Sequence, residues 1–371
     1  MTEADKLILL GTHATSIHSV IFNAESRTLR KGVSIDKLPK QPSWLARHPL
    51  HPELIYSNGW VDNKLFVYRL LDTEGNLEKL DEVETGGEGP THFAILPDGS
   101  EVAVAHYRSG SVSVIPLKED GLFGTKSPSQ ERIYKGNYLP MKHWRQESAH
   151  MHQVVLYKDQ ILVPDLGSNK LYRYKWDSKA KKLNLIEEIN DGLKDGDGPR
   201  HLVVHPTGSH LYVLNEVSSS LTIHTLPSSD SEKSRFVKRF SMLPSNDDGS
   251  RRRETGGAEI ILLPSLKPDG RLLLVTSNRD SPVNDEDTLC LFSISQTNGE
   301  DVQRTKQGWL GGIGKHLRAV EQDKSGKYLL VAARDTGRIV ILERTGEDDG
   351  LELKEVARLE GLESVVVPLW I

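Results

Sequence analysis

The stretch Gly198-Pro199-Arg200-His201-Leu202-Val203-Val204-His205-Pro206, followed by Thr207-Gly208 and then Leu211-Tyr212-Val213, decides the fold. It reads as a Gly-Pro entry, a short apolar run, a glycine turn and a second apolar run. The same phrase stands at Gly89-Pro90-Thr91-His92-Phe93, Asp98-Gly99 and Val102-Ala103-Val104. A further copy, without the Gly-Pro, is Arg318-Ala319-Val320, Ser325-Gly326 and Tyr328-Leu329-Leu330. Short apolar runs punctuated by glycine turns are strands, and self-similarity at this spacing marks a blade-repeat architecture.

Aligning the first run of each copy places Ser43, Thr91, His152, Arg200, Ala258 and Arg318 at equivalent starting positions, about 48 to 61 residues apart. Each unit then reads as four strands, which in the fifth are residues 200–204, 209–215, 220–226 and 235–242. Alternation such as Lys170-Leu171-Tyr172-Arg173-Tyr174-Lys175-Trp176 supports strands, and no long stretch keeps a 3.6-residue period. Near the N-terminus, Lys6-Leu7-Ile8-Leu9-Leu10-Gly11 matches the second strand of a unit, whereas Glu363-Ser364-Val365-Val366-Val367-Pro368-Leu369 matches a lone first strand. The expectation is an all-β, seven-bladed β-propeller with four-stranded blades, in which the C-terminal strand completes the N-terminal blade. Such closure leaves no unpaired edge between the first and last blades. Residues 1–371 are expected to form this single domain.

Composition excludes several function classes. A net charge of −5 with no domain-wide basic excess argues against a nucleic-acid partner. Cys290 is the only cysteine, so no intrachain disulfide forms, and its setting in Leu289-Cys290-Leu291-Phe292 makes it a packing residue. The opening residues lack the charged-then-apolar run of a signal peptide and no apolar stretch is of bilayer length, so a cytoplasmic protein without a membrane partner is expected. There is no Gly-x-Gly-x-x-Gly, Walker lysine or Gly-x-Ser-x-Gly elbow, so the reading includes no cofactor. Three insertions interrupt the repeat: residues 135–148 with Tyr138, Trp144 and Arg145; residues 228–257 with Arg251-Arg252-Arg253; and residues 280–287.

The copies differ where chemistry is expected. In a propeller the start of the first strand and the end of the second lie near one mouth of the ring. The second-strand ends register as Trp60, Tyr107, Leu166, Glu216, Arg279 and Arg334. The inferred mouth therefore gathers His152, Arg200, Arg279, Arg318 and Arg334 against one acid, Glu216, with His92 and Tyr107 beside them. Arginine's planar fork suits bidentate recognition of carboxylate or phosphate, so a small anionic substrate is expected. Arg318 and Arg334 have an alternative reading as blade-end residues paired with local acids, and Glu216 as the counter-ion of Arg200. His150 and His152 would share a strand face, but no third ligand follows at compact spacing, so no metal site is assigned.

Taken together, these phrases resemble the lactonase family of seven-bladed propellers, which includes the bacterial-type 6-phosphogluconolactonases and the fungal 3-carboxy-cis,cis-muconate lactonizing enzymes. The resemblance runs over nearly the whole chain. It is carried by residues 198–206 with Leu211-Tyr212-Val213-Leu214-Asn215-Glu216, by Gly89-Pro90-Thr91-His92, by Ser325-Gly326-Lys327-Tyr328-Leu329 and by Pro368-Leu369-Trp370. It implies that His152 is the catalytic histidine, that Arg200 and Glu216 are the fifth-blade pair, and that Arg279 is the sixth-blade arginine. From the register of the repeat, Arg318, Arg334, His92 and Tyr107 are expected to contact the substrate. The implied activity is hydrolysis of a small sugar-type lactone; the alternatives are muconate cycloisomerisation and a non-catalytic binding platform. Ser57-Asn58-Gly59-Trp60 and His150-Met151-His152 depart from the family pattern and bear on substrate shape.

Overall fold

The computed structural model describes residues 5–36, 39–244, 255–281, 285–346 and 349–371, so Arg251-Arg252-Arg253 lies outside the described residues. Within them the strands form seven four-stranded antiparallel sheets, the blades expected from the repeat. Six sheets are consecutive meanders. The seventh has the order Val365–Trp370, Asp5–Thr12, Ile17–Asn23, Thr28–Ile35, so the C-terminal strand supplies the missing first strand. The Ile371 N–H donates to the Leu7 carbonyl at 3.0 Å, extending that pairing by one bond.

Sequence dictates this locally through its turns. Gly208 adopts φ +75° and its N–H donates to the His205 carbonyl at 2.7 Å, closing the hairpin between Pro199–Val204 and His210–Asn215. A side chain there would be strained, which is why glycine recurs at this point of the phrase. The inner strands carry apolar residues on both faces because each sheet is covered on both sides.

By packing, the chain divides into two compact units: Met1–Ile21, Lys31–Asn190 and Ile371 form one, and Phe22–Arg30 with Asp191–Trp370 the other. In each, the core lies between successive blades. In the first unit Tyr56, Val67 and Val83 pack against Phe93, Val102 and Ile115, while Ala103, Val112 and Val114 meet Val154, Ile161 and Val163. In the second, Leu214, Leu221 and Ile223 meet Leu274, Cys290 and Phe292, and Leu273, Val275 and Leu291 meet Leu317, Leu329 and Val331. Cys290 is fully buried, as expected, and burial pushes its thiol up to about 12.

Three first strands start two or more residues from the aligned position; that of the second blade starts at Leu45, two residues after Ser43. The first strand of the fourth unit runs Val155–Tyr157 and does not start at His152; ahead of it only Met151 pairs, in an isolated bridge to Asp165. The buried Asp165 carboxylate accepts the His150 N–H at 2.7 Å and the Ser168 N–H at 2.8 Å, so it takes a donor that a regular ladder would use. The first strand of the sixth unit starts at Gly256, two residues before Ala258.

Candidate functional site

A recurring irregularity places the site residues. Strand register shifts between Pro90 and His92, Pro199 and His201, Gly257 and Ile260, and Leu317 and Ala319. The residues skipped are Thr91, Arg200, Ala258 with Glu259, and Arg318, which are the starting positions aligned from sequence or their neighbours. A bulge bends its strand and re-aims the extra side chain. Gly198, at φ +66°, and its counterpart Gly89, at φ +65°, deliver the chain into two of these bulges.

In the second unit the outcome is a compact charged cluster. Glu216 directly follows the strand His210–Asn215, and its N–H donates to the Gly198 carbonyl at 2.7 Å. Its carboxylate bridges two guanidinium groups: Oε2 lies 3.0 Å from Arg200 Nε and Oε1 lies 2.6 Å from Arg279 Nη2. Arg200 also donates from Nη1 to the Ala258 carbonyl. All three side chains are buried, at 2%, 4% and 7% exposure for Arg200, Glu216 and Arg279. The Gly256 backbone lies against this group; a Cβ there would stand 3.2 Å from Arg279 Nε.

Arg318 completes the cluster. Among the described residues no carboxylate approaches its guanidinium within 4.0 Å, and it remains partly accessible. Burial, followed by the like charges of Arg200 and Arg279, pulls its pKa well below the ordinary value, against the opposing pull of Glu216. Arg200 is held down to about 10 by burial and by Arg279. Burial is the larger cause of both shifts; the neighbouring arginines add to it, and an anion would offset that second contribution.

In the same unit, His201 Nδ1 lies 2.6 Å from Glu259 Oε1. Burial and the neighbouring Arg200 keep that imidazole well below its usual pKa. Burial and the charge of Glu259 lift Glu321 to about 8. Arg334 is engaged differently from Arg318: its Nε lies 2.6 Å from Asp335 Oδ1 in a half-exposed pair.

In the first unit His152 is buried, with its N–H donating to the Pro164 carbonyl at 3.0 Å. Its ring meets Tyr107 edge-on, centroids 5.8 Å apart, and Tyr107 stacks on His150 at 4.1 Å and 5°. His150 Nδ1 contacts the Tyr107 carbonyl at 2.8 Å and Nε2 lies 3.2 Å from Glu147 Oε1. His92 packs on Trp44 with centroids 4.1 Å apart, and its Nδ1 accepts the Val154 N–H at 3.4 Å. The segment with Tyr138 and Trp144 is pinned by Tyr138 Oη donating to the Gln146 carbonyl and by Gln146 donating to that of Leu166.

The family description "Lactonase, 7-bladed beta-propeller" matches residues 7–367. The chain belongs to that lactonase family. It is 28% identical over 350 residues to a 6-phosphogluconolactonase of Formosa agariphila, with 91% of each chain covered. It is 27% identical to a 6-phosphogluconolactonase of Bacillus subtilis, with 93% of each covered. A solved periplasmic gluconolactonase of Pseudomonas aeruginosa shares the fold, with a TM-score of 0.81, 20% identity and 99% of each chain covered. No described helix of this lactonase-family chain is long and apolar enough to cross a membrane.

Sequence reasoning missed Glu259, Glu321, Asp280, His316 and Asp335. Asp280 and Asp335 carried a signal, their adjacency to Arg279 and Arg334.

Two stability consequences follow from these contacts. Replacing Glu216 by glutamine leaves two buried guanidinium groups without their carboxylate, and breaking a buried pair in this way costs about 3–5 kcal/mol. A lowered urea midpoint in Glu216→Gln checks this. The second concerns pH. Burial holds His106 and His224 at about 4 against the ordinary 6.5. The unfolded chain therefore binds more protons than the folded one between about pH 4 and 6.5, so stability falls as pH drops through that window, by about 3 kcal/mol for each histidine. Glu321, held at about 8 against 4.5, opposes this with the reverse sign as pH rises from 4.5 to 8. Urea midpoints across pH 4–6.5 should decline toward acid, and His224→Gln should flatten the decline.

Proposed function

We propose that this lactonase-family chain hydrolyses a small anionic sugar lactone of the 6-phosphogluconolactone type. The observation that carries the reading is Arg318, a cation with no carboxylate within 4.0 Å among the described residues, interacting with the Glu216-bridged Arg200 and Arg279. Three guanidinium groups face the carboxylates of Glu216 and Glu259, while Glu321 keeps its proton at neutral pH. The balance is positive, which suits an anionic substrate.

In the proposed reaction water attacks the ring carbonyl and gives up a proton to His152 as general base. The ring C–O bond then breaks, and the leaving ring oxygen takes that proton back from the His152 imidazolium to become the hydroxyl of the free acid. Arg200 and Arg279 stabilise the tetrahedral oxyanion and Arg318 binds the anionic tail. Glu216 holds both forks in place, since two of its ion pairs fix their planes. The role of His152 rests on its matching position in the family resemblance; the roles of the arginines rest also on their mutual geometry. His92, Tyr107 and Arg334 are proposed substrate contacts, with Arg334 the least available because Asp335 holds its Nε.

The test compares 6-phosphogluconolactone, uncharged gluconolactone and 3-carboxymuconate with the purified protein, each against its spontaneous rate. Acceleration of phosphorylated-lactone hydrolysis is expected; turnover of the muconate alone would replace the reading with cycloisomerisation. Arg318→Gln should raise KM for the phosphorylated lactone by about 10- to 100-fold, the worth of one charge-assisted hydrogen bond, and leave the uncharged lactone nearly unaffected.

A further inference from the structure

Three side chains that the proposed hydrolysis does not use converge in the second unit. Asp280 directly follows Arg279 at the end of Leu272–Arg279, His316 directly precedes the strand Leu317–Gln322, and Asp335 follows Arg334. His316 Nδ1 lies 2.8 Å from Asp280 Oδ1 and 3.8 Å from Asp335 Oδ2. One donor atom from each of the three falls within 4.8 Å of the others. Neighbouring ligands held about 2.0–2.2 Å from a metal are themselves about 3–3.5 Å apart, so the two spacings from His316 need shifts of only a few tenths of an ångström.

The arrangement is held from behind. Asp287, fully buried, accepts the His316 N–H at 2.6 Å and the Asp280 N–H at 3.1 Å on Oδ2, and the Ser281 N–H at 2.7 Å on Oδ1. One carboxylate thus fixes both turns that carry the buried imidazole and its nearer partner. Asp280 and His316 both take left-handed backbone, at φ +60° and +59°, conformations that persist only where surroundings impose them. His316 Nε2 makes no hydrogen bond among the described residues, so the ring's polar side-chain contacts are the two carboxylates.

We propose that Asp280, His316 and Asp335 form a binding site for a divalent first-row transition-metal ion. One imidazole with two carboxylates suits zinc, manganese or cobalt better than calcium or magnesium, which prefer all-oxygen shells. The Asp280 and Asp335 side chains are 36% and 46% exposed, which gives an ion a path in and leaves coordination positions for water or an anion. Protonation states suit binding. Burial, with Arg279 and Arg334 and against the Asp280 contact, holds His316 neutral at pH 7. Asp280 is pushed up by burial but pulled lower overall by His316, Arg279 and Arg334. Arg279 and Arg334 oppose the ion's charge, and Asp335 must share its carboxylate with Arg334. The site was invisible to ligand spacing along the chain because its three members come from three separate turns.

The site borders the proposed hydrolytic residues through Arg279 and Arg334, so its test reads binding and not turnover. Protein stripped with a chelator is titrated with cobalt(II) alone, following visible d–d absorption, and with zinc(II) by calorimetry. One ion per chain is expected, with affinity lowered at least tenfold in Asp335→Asn and in His316→Ala. Asp335→Asn changes a half-exposed group and decides the matter if His316→Ala fails to fold. Absence of a saturable one-to-one signal in the unaltered protein, or equal affinity in Asp335→Asn, overturns the proposal.

Discussion

Alanine at position 152 is expected to lower kcat for lactone hydrolysis by about 10²- to 10⁴-fold, the usual contribution of a positioned general base. The substitution removes the imidazole while keeping the backbone N–H that donates to Pro164, so the segment ahead of Val155–Tyr157 keeps its anchor. Tyr107 loses its edge-on neighbour but keeps its stack on His150. Folding should therefore survive, and unchanged circular dichroism with a collapsed kcat is the expected pairing. An imidazole base also imposes an acid limb on the pH–rate profile, because protonation removes the lone pair that accepts water's proton. That limb should vanish in His152→Ala along with most of the rate. Near-unaltered kcat would remove His152 from the mechanism without touching the arginine cluster.

Arg200→Lys is the second large effect, expected to reduce kcat/KM by about 10²- to 10³-fold, as for loss of one oxyanion donor. Lysine keeps the charge but not the fork. Arg200 uses Nε toward Glu216 and Nη1 toward the Ala258 carbonyl, and an ammonium group cannot make both contacts while presenting further N–H groups to a substrate. Arg200→Ala is the harsher version and confounds two losses. It empties one of the largest fully buried side-chain volumes among the described residues and removes the Arg200 ion pair from Glu216. Comparing the lysine variant's urea midpoint with its kcat/KM separates packing from catalysis. A lysine variant with full activity would show that the fork of Arg200 serves only the fold.

The fold was legible because the repeat is written in backbone chemistry. Glycine at positive φ after an apolar run, as at Gly208, makes a hairpin whatever the neighbouring blades do. The chain's two end segments were readable for the same reason, and Val365–Trp370 pairs in the sheet as their patterns required. Aligned starting positions also located Arg200 and Arg318, since the bulges recur at that point of the repeat. What a periodicity argument cannot supply is the partner a side chain chooses. Arg318 and Arg334 looked alike in sequence, yet Arg334 is satisfied by Asp335 while no carboxylate comes within 4.0 Å of Arg318 among the described residues. His201 and Glu259 meet across blades, 58 positions apart, and no local pattern announces that contact. The fourth unit misled for a local reason: Pro164, opposite His152, accepts the His152 N–H but has no N–H to return, so the regular strand starts at Val155.

The central claim is lactone hydrolysis in a positively charged site. Its most direct test is acid release from 6-phosphogluconolactone, followed at constant pH with the purified protein and corrected for spontaneous ring opening. A saturable acceleration that falls sharply in Arg200→Lys is the predicted result. A rate equal to the spontaneous one at every protein concentration, with correctly folded protein, would contradict it.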